Sequence, residues 1–321
     1  MRALAAAREN NEALKRHRVF VVLLYLAAIV VTGIVMTATA SAQRPKKRQD
    51  PKLKPRRVTL RAKDGVQLNA FFFPSDKGKE AISVLLVHDW KGQASPYGPL
   101  VIALRDAGCA VLVPDYRGHG DSKKYINASG EEHEFNIARM SKRDVEAIIS
   151  LDLEKAKSFL KDENDKENLN LNALVVIGVR EGCVMAAHWA ARDWNFPSVG
   201  RIKQGQDVKC LVFISPKKQI KGIGIDPTLS NQNLIRLPIM IVAGESSPEA
   251  SEAERVAKRV ESLKKRMGRG VASGFELLMV DTPLSGASLV NDVSKVIPAI
   301  AKFVKSNVVI SEGENPWVKR D

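Results

Sequence analysis

The stretch ALVVIGVREGCVMAAHWA (Ala173–Ala190) reads as a buried strand, a tight glycine turn and a helix. A side chain in such a turn stands at the head of the helix. A serine or cysteine there, with a base beside it, would attack a carbonyl. This chain carries Arg180 at that spot. A guanidinium stays protonated at any ordinary pH and is no nucleophile. The nearest thiol, Cys183, lies three residues on, in the first helical turn, and reads as a core-facing and therefore inert thiol. Cys109 and Cys210 complete a set of three cysteines that gives no disulfide framework and suits small buried positions. Five histidines are present: His17, His88, His119, His133 and His188. There is no H-E-x-x-H, no C-x-x-C and no clustered His/Asp set of metal-ligand spacing, so no metal and no other cofactor is expected.

The elements that must position these residues alternate between strand and helix from Val58 onward. VTLRAK and VQLNAFFF flank Asp64-Gly65, a hairpin turn. AISVLLVH (Ala81–His88) is a continuous apolar run, as a strand covered on both faces requires. A helix is predicted near Pro99–Ala107, a strand at CAVLVPDY (Cys109–Tyr116) and a helix over Ser141–Leu160, with Val145, Ile148, Ile149 and Leu153 on one face. The acidic stretch DENDKEN separates that helix from ALVVIGV, and a helix follows over Glu181–Arg192. Strands are expected at Val208–Ser215, Pro238–Gly244 and Phe275–Asp281, and helices at Pro248–Met267 and Leu289–Val304. The pattern is α/β: a mostly parallel sheet of about eight strands with an antiparallel start and helices on both faces. It shows no internal repeat. Only about 22 residues part the strands ending at Ser215 and starting at Pro238, which leaves little room for a lid.

Three motifs give this pattern a resemblance. HDWKG (His88–Gly92), DYRGHGDS (Asp115–Ser122) and GVREG (Gly178–Gly182) follow the third, fourth and fifth strands. In wording and placement they resemble the α/β-hydrolase superfamily, and most nearly its compact, lidless dienelactone-hydrolase-like and esterase-like members. The resemblance covers most of residues 58–305. It implies an oxyanion loop and pocket at His88, Asp89, Trp90 and Glu181, and a catalytic nucleophile, acid and histidine at three further places. Those places fall at Arg180, Ser247 and Ser285, so all three expected side chains are substituted. Glu245 lies too early for the acid, and no histidine follows the last strand. A displaced serine such as Ser246 or Ser288 therefore lacks its base. A shifted turn using Cys183, or His88 acting as a relocated base, are the two ways to rebuild a site.

Arg180 has two readings. With the N–H of Glu181 and one from the His88–Lys91 loop it forms an anion-binding pocket walled by Trp90, since helix N-termini and guanidinium groups both favour carboxylate or phosphate. Otherwise it pairs with Glu181, Glu245 or Asp281 and plugs the pocket.

The net charge of +14 is concentrated at the front of the chain. Residues 1–57 hold 13 Lys/Arg against 3 Asp/Glu, and the remainder is nearly balanced. This argues against a specific nucleic-acid-binding fold. Residues 1–42 combine basic residues, the apolar run Val19–Met36 and the small-residue site Ala40-Ser41-Ala42, which reads as a cleaved signal peptide or a retained membrane anchor. Either one exports the domain or ties it to a membrane, and basic residues on both sides of the run leave the orientation of an anchor open; the expected position is periplasmic, extracellular or membrane-anchored. Residues 43–57 form a basic Lys/Arg/Pro linker, which reads first as a solvated tether and alternatively as a segment that adheres to an anionic membrane or cell-envelope surface. Residues 58–305 form the domain and 306–321 a C-terminal tail. The leading expectation is an exported, non-catalytic protein of hydrolase fold that binds a ligand or protein partner which the sequence does not name. The alternatives are an active serine- or cysteine-type esterase or peptidase-like hydrolase with a rearranged site, and a structural envelope protein held by its basic tail.

Overall fold

An antiparallel hairpin opens the fold. β1 (Arg56–Arg61) and β2 (Gln67–Phe73) pair in register about the Asp64-Gly65 turn, where Gly65 has φ +90°. β1 therefore begins inside the basic stretch, at Arg56. The computed structural model describes residues 53–320 apart from Ala128, Arg201, Ile202 and Arg269. These belong to one compact unit, Asp50–Asp321. The Val19–Met36 run and the site after it lie outside the described residues. Among the described residues, no helix is long and apolar enough to cross a membrane.

Six further strands complete the main sheet: β3 (Ile82–Val87), β4 (Cys109–Asp115), β5 (Asn170–Val179), β6 (Val208–Ile214), β7 (Ile239–Gly244) and β8 (Phe275–Val280). The order across the sheet is β1-β2-β4-β3-β5-β6-β7-β8, with β2 antiparallel to both neighbours and every later pairing parallel. Strands β3, β4, β5 and β7 are buried at every residue. That is why their sequences are apolar runs without alternation. Val84 and Leu86 pack into one core, and Leu85 and Val87 into the other.

Helices cover both faces. α1 (Gly98–Asp106), α6 (Gly286–Asp292) and α7 (Val296–Asn307) lie over one face. The other face carries α2 (Lys142–Ala147), α3 (Leu153–Asp165), α4 (Glu181–Trp194) and α5 (Ala250–Met267). A π turn, Ile148–Asp152, joins α2 to α3. The expected separator DENDKEN is in part helix: α3 runs to Asp165, and its Glu163 and Asn164 turn inward, to Arg56 and to Val318. The expected closing helix is two, broken at Val293–Lys295.

The tail is tied down at the N-terminal ends of the strands. Asn164, Asn170 and Asn172 donate to the carbonyls of Val318, Asn315 and Pro316. Arg320 is buried against Asp207, which Lys157 and Lys203 also reach at 3.0 Å. Trp317 lies under Lys79, 4.2 Å from ammonium to ring centre.

Candidate functional site

The opposite ends of the strands, their C-terminal ends, gather the chemistry-bearing residues. This is where open α/β sheets bind ligands. Arg180 follows β5 directly and has φ 51°, ψ −116°. Lys91 after β3 (φ 67°) and Ser215 after β6 (φ 50°) are also left-handed. A non-glycine residue in such a conformation costs on the order of 1–3 kcal/mol and persists only where its surroundings hold it. The two glycines of GVREG allow the turn. A Cβ on Gly182 would stand 2.3 Å from the Val87 carbonyl oxygen and 2.4 Å from that of His88, and one on Gly178 would stand 2.6 Å from Cys183 Cα. Only glycine lets α4 start this close to β3.

The Arg180 side chain is engaged. Its Nη1 donates to Ser285 Oγ at 2.8 Å, and its Nη2 lies 3.2 Å from Glu249 Oε1. Glu249 is 1% exposed and is met from another side by Lys217 Nζ at 2.6 Å. These are close charge contacts without hydrogen-bond alignment, for neither carboxylate oxygen has a hydrogen-bond partner. The Arg180 and Lys217 side chains, 31% and 30% exposed, thus cap a buried carboxylate. Arg180 Nε is 3.9 Å from Glu181. Neither Glu245 nor Asp281, two of the expected partners, forms an ion pair with Arg180; Glu249, which the sequence reading did not single out, does.

The three places that the resemblance assigns to catalytic side chains, Arg180, Ser247 and Ser285, are not all brought together. Arg180 and Ser285 touch. Ser247 turns away and donates to the Gly244 carbonyl at 2.8 Å. Pro248 and Glu249 follow it, and Glu249 supplies the carboxylate that reaches Arg180.

The loop after β3 forms the opposite wall. Trp90 N–H donates to Glu181 Oε2 at 3.4 Å. Asp89 accepts from Tyr97 Oη at 2.7 Å, and the Asp89 carbonyl accepts from Tyr116 Oη at 2.9 Å. His88 is wholly buried and stacks on Tyr116 at 4.3 Å. Its Nδ1 donates to the Asp89 carbonyl at 2.8 Å, which leaves Nε2 3.5 Å from Asp115 Oδ1. Burial pulls the imidazole down to about 4 and pushes the Asp115 carboxyl up to about 6. His119, packed on Tyr116 and Trp90, is likewise held down to about 4 by burial. His88 and His119 therefore build the loop and are closed to solvent. The other two described histidines are elsewhere: His133 on the hairpin Lys124–Ile126/Glu132–Glu134, and His188 on α4 against the Gly224 carbonyl at 2.8 Å.

Cys183 is fully buried beneath the turn, its Sγ 3.6 Å from the Ile214 carbonyl, and burial pushes its thiol well above the usual range. Cys109 and Cys210 are also buried and free, raised to about 12 in the case of Cys109. Among the described residues, no group of three or more His, Cys, Asp or Glu is arranged to hold a metal ion.

Two more residues escaped the sequence reading. Lys217 follows Ser215-Pro216 at the end of β6, and only the meeting of strand ends brings it to Glu249. Asp152, in the π turn, grips Arg117 of DYRGHGDS in the core at 2.6 Å, and Asp64 takes the other side of that guanidinium at 2.7 Å.

No family model matches this chain. Uncharacterized proteins of two Mycobacterium tuberculosis strains are 35% identical to it over 65 residues, 20% of this chain. The match spans 23% of those relatives' length. Among solved structures, an esterase of Pyrococcus furiosus superposes with a TM-score of 0.56 at 18% identity, over 80% of this chain and 92% of that one. A dienelactone hydrolase of Anabaena variabilis gives 0.52 at 16% identity, over 79% and 96%. An α/β hydrolase of a Penicillium species gives 0.53 at 13% identity, over 80% and 99%. At these identities the likeness speaks for the fold, and it agrees with the mostly parallel eight-stranded sheet, its antiparallel start and its flanking helices: this chain has the α/β-hydrolase fold.

Proposed function

We propose that this chain is an exported protein of α/β-hydrolase fold that has given up hydrolysis and works by binding. One observation carries the reading. The strained turn that would present a nucleophile presents Arg180, tied to Ser285 and Glu249, and none of the four described histidines pairs with that cluster. Hydrolysis by a serine needs a base within hydrogen-bond reach. Ser285 touches a guanidinium, which cannot take its proton, and Cys183 is buried with a raised pKa. Purified Gln43–Asp321, which contains the whole compact unit, is expected to turn over short acyl p-nitrophenyl esters no faster than buffer alone. Turnover above the uncatalysed rate, with or without the Arg180→Ala change, would overturn the reading.

The ligand class follows from the charges. Arg180 and Lys217 are balanced internally by Glu249 and Glu181, so a bound anion must exchange with one of these carboxylates. The 3.9 Å contact to Glu181 is the weaker. A small carboxylate or phosphate replacing Glu181 between Arg180 and the Trp90 N–H is the exchange this site supports. Acetate or phosphate is expected to raise the melting temperature of the wild type and not of Arg180→Ala. No shift with either anion would remove anion binding and leave the cluster as a plug. Export is supported by the composition of residues 1–42. N-terminal sequencing of the protein recovered outside the cytoplasm tests it.

A further inference from the structure

Far from Arg180, the face made by β1, α3 and α4 carries a groove of about 540 Å³. Arg61 and Lys63 line it from the end of β1, Lys155 from α3 and Arg192 from α4. None of these four forms an ion pair with a described residue, although the Arg192 guanidinium lies 5.1 Å from the Phe196 ring centre. The one acid in the wall, Glu154, accepts from Trp189 Nε1 at 3.3 Å and offsets one of the four charges, which leaves the groove cationic. A domain whose sequence is nearly balanced in charge thus keeps along one groove four cations that have no ion-pair partner among the described residues. Like charges lining one groove repel, and a bound anion relieves the repulsion.

The π turn forms part of the same wall. It turns Asp152 into the core, to Arg117, and leaves Ser150 and Leu151 lining the groove. π turns inside helices occur frequently at functional sites. Ser150 and Arg192 also line an adjoining cavity of about 480 Å³, where Lys142 is paired with Glu146 at 3.8 Å, so the lysines and arginines of the two cavities that lack an ion pair all line the groove.

We infer that this groove docks the domain on an anionic lipid surface, taking phosphate headgroups between Arg61, Lys63, Lys155 and Arg192. The order of the chain names the occupant. The apolar run Val19–Met36 suits a bilayer, the basic stretch Gln43–Arg57 follows, and four residues later Arg61 enters the groove. None of the residues lining the groove is aromatic, so it offers no platform for stacked bases, and a lipid headgroup fits it better than a single-stranded nucleic acid. The inference rests on reading residues 1–42 as an export or anchor segment. Its test on the purified domain is independent of hydrolysis and of cleavage.

Gln43–Asp321 is mixed with vesicles of equal parts phosphatidylglycerol and phosphatidylcholine, or of phosphatidylcholine alone, at about 0.1 M salt, and sedimented. Binding to the anionic vesicles only is expected. The Lys63→Glu/Lys155→Glu variant should bind at least tenfold more weakly at an unchanged melting temperature. The linker variant Lys46→Gln/Lys47→Gln/Arg48→Gln should lose a smaller factor. Equal binding of wild type and groove variant, equal binding to both vesicle types, or tighter binding to a single-stranded oligonucleotide than to anionic vesicles would each overturn the inference.

Discussion

Arg180 occupies a conformation that an arginine does not choose, so its neighbours must hold it there. Glu249 is the common holder, shared with Lys217. Loss of one cation leaves the buried carboxylate a partner, and loss of both leaves it with none. Arg180→Ala and Lys217→Ala should each cost about 1 kcal/mol, and the double variant about 3 kcal/mol or more, beyond additivity. Urea midpoints of the four proteins measure this, and an additive double variant would mean the three residues are not coupled. A second prediction concerns acid. His88 and His119 have folded values near 4 against 6.5 when unfolded, so the stability they contribute is complete above pH 6.5 and is lost as pH falls toward 4. Asp115, raised to about 6 from 3.8, acts in the opposite sense over much the same window. Two histidines outweigh one aspartate. The melting temperature should therefore drop between pH 6.5 and 4.5, and His119→Phe should flatten that drop. An unchanged profile would mean that His119 titrates normally in the folded state.

At the scale of elements, the turn after β5 depends on close approach. Gly182→Ala would drive a methyl group into the Val87 and His88 carbonyls, and a backbone clash has no cheap relief. The variant should lose about 3 kcal/mol or fail to fold, read as a fall in melting temperature or in soluble yield; a wild-type melting temperature would place α4 further from β3. Such constraints were legible in the sequence, because a glycine on either side of Arg180 after an apolar run permits few other structures. The buried strands were legible for the same local reason. Glu249 and Lys217 were not, since their meeting depends on where β6 and β7 end in space rather than on spacing along the chain. The π turn leaves no mark in IISLD, and the Arg117 that its Asp152 meets lies 35 residues away in the chain. Acidic residues in DENDKEN suggested a break, but Glu163 and Asn164 are satisfied by Arg56 and the tail, so the helix continues.

Across the whole molecule the two ends of the sheet differ in chemistry. The C-terminal ends hold Arg180 and its partners, and the N-terminal ends are closed by the tail. Arg320 is the innermost fastening of that tail, against an Asp207 already shared with two lysines. Arg320→Ala should cost about 2 kcal/mol, less than breaking an isolated buried pair, while the exposed Lys319→Ala should cost almost nothing. Thermal melts of both variants check this, and equal losses would contradict it. The central claim concerns the other end. Gln43–Asp321 should be incubated with a fluorophosphonate probe beside Arg180→Ser and Cys183→Ala, and intact mass recorded. No adduct on any of the three is predicted, including Arg180→Ser, because a serine restored to the turn still has no histidine to take its proton. A stoichiometric adduct on the wild type, mapped to one residue, would contradict the account and identify a working nucleophile.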